Sequence, residues 1–120
     1  MTTTALVDTI RRNLAAHADA ARAPAMQAYM KSAMPFLGVP RPMIDRVVVD
    51  AVKAHPCATT AQLAGAMHAL WRGARHREER YAAIELPTCG RAHRALLVPS
   101  MLPWVESMIV EGAWWDHVDD

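Results

Sequence analysis

The stretch E-G-A-W-W-D-H-V-D-D at 111–120 holds the residues whose types and spacing best suit chemistry. Trp115 and Asp119 are four positions apart, so on a helix they share one face, while Trp114 and Val118 share the neighbouring stripe. An indole excludes water and presents a negative ring face, and a carboxylate beside it adds charge. Such a pair can stabilise a developing cation. Spacing alone favours the other interpretation, in which both tryptophans pack in a core and the acids are solvated.

Other candidate residues carry weaker signals. Tyr29, in A-M-Q-A-Y-M-K-S, is by spacing alone a half-buried side chain with its hydroxyl in water. His117 stands among acids, but it matches no metal-ligand spacing and a helix turns it away from Asp119, so no metal is expected. The sequence has no P-loop, G-x-S-x-G or dinucleotide fingerprint, so no cofactor is expected either. The other histidines, including His68 and His93, are expected at the surface or at its boundary.

Length and charge narrow the class of protein. The chain has 120 residues and a formal net charge of +1, which fits one domain and is not typical of a protein that coats nucleic acid. Residues 72–94 carry six Arg against three Glu, whereas 106–120 have five acids and no Lys or Arg. A local basic surface beside an acidic end is one interpretation. A solvated arginine-rich helix face is the other, and it is the more common case.

The chain shows no sign of a membrane segment or a secreted protein. No apolar run reaches the roughly 18 residues that a membrane span needs, and residues 1–12 contain no small-residue cleavage site. Cys57 and Cys89 are far apart with no C-x-x-C spacing, so both are expected to be free, buried or half-exposed thiols. We therefore expect a cytoplasmic protein.

The elements that position these residues are predicted to be helices, because apolar residues recur at helical spacing between Pro and Gly. Gly38 is expected in a left-handed conformation, and Thr59 or Thr60 as a helix cap. No segment alternates at period two for long enough to make a strand. Seven short helices are expected: one with the stripe Leu6, Val7, Ile10 and Leu14; others opening at Pro24, at Pro42 and after Thr59 or Thr60; one over 76–86; one over 96–110; and one from Ala113.

The fold class that follows is all-α, with antiparallel helix pairs stacked as an α-solenoid of HEAT-like repeats in a single domain over 1–120. A globular bundle remains open, because no internal repeat is clear. A repeat stack needs a polar terminal cap, yet this chain ends on Trp114 and Trp115. We therefore expect the stack to be truncated on its C-terminal side, and the exposed C-terminal helix to favour self-association.

Three stretches resemble one known family. They are P-A-M-Q-A-Y-M-K-S-A-M-P-F-L-G-V at 24–39, L-W-R-G with R-E-E-R-Y-A-A-I-E-L at 70–86, and L-P-W-V-E-S-M-I-V-E-G-A-W-W-D-H-V-D at 102–119. In order and separation they resemble the DNA alkylation repair family of HEAT-like-repeat DNA glycosylases. The resemblance spans most of this chain, but only the N-terminal half of a usual family member.

This resemblance implies an enzyme that hydrolyses the N-glycosidic bond of cationic N3- or N7-alkylated purines in double-stranded DNA. It places Asp119 at the family's catalytic aspartate and Trp115 at the indole beside the lesion's sugar. Tyr29 takes the position of a second aromatic contact in the same cleft. A bacterial-type cytoplasmic location, with the protein on the nucleoid when bound to DNA, follows from the same resemblance.

Two other functions stay open from the residues alone. A helical-repeat module could bind damaged or distorted DNA without cleaving it, and its binding would depend on salt. A protein-interaction scaffold would instead bind no DNA at physiological salt and would use the 114–120 surface for a protein partner.

Overall fold

The structure is a computed structural model that describes residues 2–30 and 34–96. Within those two ranges every regular element is a helix and no strand is present, so the predicted all-α class is confirmed. None of the helices described is long and apolar enough to span a membrane. The helices are α1 (Thr2–Ala16), α2 (Ala23–Met30), α3 (Arg41–Ala54), α4 (Thr60–Arg72), α5 (Arg77–Glu85), a short 3₁₀ turn (Leu86–Thr88) and α6 (Arg91–Leu96).

The apolar stripes predicted from spacing form the core. Each stripe faces inward because residues three and four apart lie on the same side of a helix. α1 packs against α3, α4 and α5, while α3 and α4 both pack against α5, which therefore lies at the centre. This packing is consistent with an α-solenoid-like all-α fold. The buried side chains at helical spacing in α1, α3, α4 and α5 are Leu6, Val7, Ile10, Leu14, Ile44, Val47, Val48, Ala51, Leu63, Met67, Leu70, Trp71 and Tyr81.

Helix ends follow the predicted local signals. α3 begins at Arg41 with a proline in its first turn, where the missing N–H costs no helical hydrogen bond. Thr59 is the residue that caps α4, because its side-chain oxygen accepts a hydrogen bond from the N–H of Gln62 at 3.1 Å. Gly38 has φ +93°, the left-handed conformation expected for it.

The region after α5 differs from the prediction. The predicted helices over 76–86 and 96–110 leave no helix between them, but α6 already begins at Arg91. Pro87 ends α5 but does not end helical structure altogether. It lies near the start of a 3₁₀ turn over Leu86–Thr88, where a residue without an N–H is accommodated. The predicted helices over the rest of 96–110 and from Ala113 lie outside the described residues.

His93 was expected at or near the surface, and this prediction was wrong. It is 1% exposed, and its Nε2 accepts a hydrogen bond from the N–H of Cys57 at 3.2 Å. Its Nδ1 lies 2.9 Å from the carbonyl oxygen of Leu86, which can only accept, so the proton belongs on Nδ1. The imidazole therefore joins α6 to the loop before α4 and to the 3₁₀ turn, two bonds that no local pattern predicts.

Charged residues at the start of α5 also depart from the prediction of a solvated arginine-rich face. Arg77 and Glu78 are fully buried and Glu79 nearly so, whereas Arg72, Arg75, Arg91 and Arg94 are exposed. Aromatic residues of the core contact two of the cations on α5. The Arg77 guanidinium lies 5.7 Å from the Tyr81 ring centroid, and the Arg80 guanidinium lies 4.5 Å from that of Trp71. Cation–π contacts and hydrogen bonds offset the cost of bringing such charges next to the core.

Candidate functional site

Tyr29 lies near the end of α2 and is 85% exposed, not half-buried as spacing alone suggested. Among the described residues, Tyr29 is the large hydrophobic side chain that is exposed to solvent. α2 faces the core through Ala23 and Met26, which are partly buried against it. The Tyr29 ring itself stays outside this packing, so it is accessible for stacking on a ligand, which is how proteins commonly contact bases and sugars.

The start of α2 is fixed by Asp19. The Oδ1 of this side chain accepts hydrogen bonds from the N–H groups of Ala21 and Arg22, at 3.0 and 3.2 Å. The N–H of Asp19 donates to the carbonyl oxygen of Leu37 at 2.8 Å. The position of α2 and Tyr29 therefore depends on the segment 34–40, which contains the F-L-G-V stretch.

That segment is held in turn by Glu78. Its Oε1 accepts a hydrogen bond from the N–H of Leu37 at 2.9 Å, and its Oε2 accepts from Gly38 and Val39 at 2.9 and 3.1 Å. Glu78 is 0% exposed, so these three donors replace the water that would otherwise solvate the carboxylate. The side chain acts as a structural anchor for the backbone loop below α2.

Gly38 makes this arrangement possible. A Cβ at this position would overlap the carbonyl oxygen of Asp19, and its φ of +93° is one that L side chains rarely adopt. Only glycine allows the loop backbone to pass this close to the start of α2. The F-L-G-V stretch thus packs its backbone tightly against the residues that precede α2, the helix that bears Tyr29.

A second feature is a cleft of about 450 Å³, here called the Arg11 cleft, which is lined by Arg11, Ala15, Leu37, Gly73, Arg75, His76 and Glu79. Arg11 donates from Nε to Oε1 of Glu79 at 2.9 Å, and from Nη2 to the carbonyl oxygen of Ala69 at 2.8 Å. The Oε2 of Glu79 accepts from the N–H groups of Arg75 and His76 at 2.9 and 3.0 Å. Glu79 thereby binds the N-terminus of α5 in the manner of a capping box.

Comparison with known protein families identifies the chain. The family model described as DNA alkylation repair enzyme matches residues 10–120. The chain belongs to the DNA alkylation repair enzyme family. The match includes Tyr29, the R-E-E-R stretch that supplies Glu78 and Glu79, and the W-W-D-H-V-D stretch. No curated protein matches the sequence.

Two of the three site residues predicted for a DNA alkylation repair enzyme, Trp115 and Asp119, lie outside the described residues. Tyr29 is the predicted site residue that the structure places. Over the described ranges, no three His, Cys, Asp or Glu side chains come together as a metal site would require.

The two cysteines are free thiols, as the sequence predicted. Burial, and after it the negative charge of Glu85, raises the pKa of the Cys89 thiol to about 11. Burial also raises the pKa of the Cys57 thiol. Both groups therefore stay protonated at neutral pH, and neither has the thiolate character that a cysteine nucleophile needs.

Glu85 is a third group with a shifted pKa. Burial, and after it the charge of Asp45, raises the pKa of this carboxyl, although Arg41 and Arg94 act in the opposite direction. A carboxyl with a raised pKa stays protonated to a higher pH than usual, which is a property of general acids. No described contact brings Glu85 to Tyr29, so we assign it no role in this site.

Sequence reasoning missed Glu78, Glu79 and Arg11 as residues that build the site. Glu79 had a local signal, because a Glu three positions after an N-cap residue forms one arm of a capping box, and His76 occupies that N-cap position. Glu78 and Arg11 had none. Their partners lie some 40 and 68 positions away in the chain, and only the tertiary fold brings them together.

Proposed function

We propose that this chain is the part of an alkylpurine DNA N-glycosylase that contains the catalytic carboxylate. The observation that carries the proposal is the family match over 10–120, because it includes Tyr29 together with the complete W-W-D-H-V-D stretch. In this proposal the substrate is a cationic N3- or N7-alkylated purine in double-stranded DNA, and the helix pairs stack as HEAT-like repeats. We propose a cytoplasmic location on the same grounds.

The chemistry suits the residues at these positions. Breaking the bond between C1′ of the sugar and the purine nitrogen sends the bonding electron pair to the cationic base, which leaves as a neutral molecule. Departure therefore needs no general acid. The sugar becomes an oxocarbenium-like cation, and the Asp119 carboxylate stabilises that charge and orients the water that attacks C1′. A proton of that water passes to solvent or to the carboxylate as the new C–O bond forms.

The two aromatic residues have supporting roles in the proposal. Trp115, four positions before Asp119, excludes water from the sugar and presents a negative ring face to its developing charge. Tyr29 offers a second aromatic contact to the damaged nucleotide. Its 85% exposure supports this role, because a ring held away from the core can contact DNA without any loss of packing.

Base release from duplex DNA that contains N7-methylguanine tests the proposal directly. The freed base is separated and quantified after incubation with the wild-type chain and with Asp119→Asn, and the encoded longer reading frame, if one exists, is assayed beside them. We expect Asp119→Asn to lower the release rate by about 100-fold or more, as loss of a preorganised charge does at other sites. Asp120→Asn is the matched control, because it removes the neighbouring acid and should retain activity.

The Tyr29 assignment needs its own variant. Tyr29→Ala should slow base release while leaving the free energy of unfolding within about 0.5 kcal/mol of wild type, because the side chain buries so little surface.

Base release that persists in Asp119→Asn would contradict the assignment of Asp119 as the catalytic residue. Salt-dependent duplex binding with no release by any form of the protein would favour the DNA-binding module that does not cleave.

A further inference from the structure

The Arg11 cleft is lined by residues to which base release assigns no part. Its lining carries two guanidinium groups and an imidazole against a single carboxylate, that of Glu79. Both oxygens of that carboxylate already accept hydrogen bonds, from Arg11 on one side and from two backbone N–H groups on the other. The negative charge is thus largely compensated, and the cleft retains an excess of hydrogen-bond donors.

Arg11 is held rigidly in the wall of the cleft. Its Nε and Nη2 each donate to a fixed partner, and its side chain is 35% exposed. Gly73 leaves room for this placement, because a Cβ there would come within 2.5 Å of the Nη2 atom. The Nη1 hydrogens have no protein acceptor among the residues that the structure describes. A guanidinium fixed in this way presents donors to a ligand with little further loss of side-chain entropy.

Arg75 supplies the second cation. Its backbone N–H is fixed by Glu79 at 2.9 Å, which keeps the residue at the rim of the cleft. Its side chain is exposed, and within the described ranges it forms no hydrogen bond or ion pair with the protein. Ala15 and Leu37 add apolar surface to the lining, which leaves less water around a bound ion. Charge-assisted hydrogen bonds are stronger in such partly dry surroundings.

We propose that the Arg11 cleft binds a phosphate oxyanion, with Arg11 and Arg75 as its donors. Guanidinium groups match the geometry of phosphate oxygens. The volume of about 450 Å³ leaves room for the organic part of a phosphate ester. The oxyanion belongs to a DNA phosphodiester or to a small phosphomonoester, and both offer the same chemistry to the cleft. The inference does not depend on base release.

Inorganic phosphate is the probe for the test, added to the full chain at constant ionic strength. Binding is followed by NMR through the amide signals of Arg75 and His76 and the Nε–H signal of Arg11. We expect saturable shifts confined to these residues, and binding that is about 10-fold or more weaker in Arg75→Gln. Arg72→Gln is the matched control, because Arg72 is an exposed arginine outside the cleft and its loss should leave phosphate affinity unchanged.

The outcomes separate the sources of the oxyanion. Shifts that do not saturate, or that are equal in wild type and Arg75→Gln, would overturn the proposal. The Arg75→Gln variant is expected to fold, since only the backbone of Arg75 forms hydrogen bonds with the rest of the described protein. Competition by unmodified duplex DNA would identify a phosphodiester as the ligand. Phosphate binding that duplex DNA does not displace would identify a small phosphomonoester. Because no methylated base is present, either result is independent of whether the chain releases alkylpurines.

Discussion

Replacing Glu78 by glutamine tests whether this buried carboxylate holds the loop beneath α2. The substitution conserves shape and removes the charge. In the wild-type protein Oε2 accepts from Gly38 and Val39, and Oε1 accepts from Leu37. A glutamine side chain can keep its oxygen towards Gly38 and Val39, but its NH₂ group must then face the N–H of Leu37. Two donors would then oppose each other in a part-buried site.

The expected cost follows from these three hydrogen bonds. Losing the bond to Leu37 leaves a part-buried N–H unsatisfied, at about 1–3 kcal/mol. The two remaining bonds change from charge-assisted to neutral, which weakens each by roughly 1 kcal/mol. Glutamine also avoids the cost of burying a charge, which offsets part of the loss. We expect Glu78→Gln to lower the free energy of unfolding by about 2–4 kcal/mol in total, or Tm by roughly 10 °C.

Urea unfolding at 25 °C is the assay, followed by the fluorescence of the tryptophans, of which Trp71 is buried in the core. Amide hydrogen exchange reports on the loop itself, and the N–H groups of residues 37–39 should lose protection first. Glu85→Gln is the matched control, since it makes the same substitution seven positions later on α5, where the side chain accepts no hydrogen bond from a described backbone N–H; it should not lower the free energy of unfolding. An unfolding free energy within about 0.5 kcal/mol of wild type, with unchanged exchange at residues 37–39, would refute the anchoring role of Glu78.

Three further expectations follow from the same contacts. Gly38→Ala should destabilise the protein by at least about 1–2 kcal/mol in urea unfolding, whereas Gly90→Ala, where a new Cβ meets nothing within 4 Å, should change stability by less than about 0.5 kcal/mol. His93→Leu leaves the buried N–H of Cys57 without a partner and removes the imidazole's bond to the Leu86 carbonyl oxygen, which keeps the Cys89 thiol as a donor, so it should cost about 1–3 kcal/mol and weaken the attachment of α6; native-like circular dichroism and an unchanged melting curve would contradict this. Glu85 has a raised pKa in the folded state, so its folded form holds a proton more tightly than the unfolded chain does. Its stabilising effect is therefore complete below the ordinary carboxyl pKa of 4.5 and is lost as pH rises through the raised value. Relative to wild type, Glu85→Gln should gain stability between pH 4 and pH 7, and a gain that grows towards acid pH would show the opposite linkage.

Much of the fold is predictable because its signals are local. The stripe of α3 and the Thr59 cap of α4 depend on residues within two helical turns, so the sequence pattern and the structure agree there. The start of α6 was missed for a related reason. Pro87 and Gly90 are strong helix-breaking signals, yet the 3₁₀ turn uses the first and α6 begins directly after the second.

The buried charges were not predictable in this way. Composition describes R-E-E-R as a solvated helix face, whereas Arg77 and Glu78 are fully buried. Glu78 becomes favourable only when three N–H groups from a distant loop surround it. Tyr29 was found through the resemblance of its surrounding stretch to a family, and its exposure could not be read from helical spacing. Periodicity shows which residues share a face, but it does not show which neighbour, if any, covers that face.

The long-range bonds of α5 also have a consequence for how the chain acquires its structure during synthesis. The N-terminal helix is tied to Glu79 through Arg11, a separation of 68 positions, and the loop below α2 is tied to Glu78 from about 40 positions away. A nascent chain that has released only its first 75 residues from the ribosome can satisfy neither bond. We therefore expect α1 and α2 to lock into place in a single late step, once α5 has emerged. The order in which the helices are translated is thus not the order in which they become fixed.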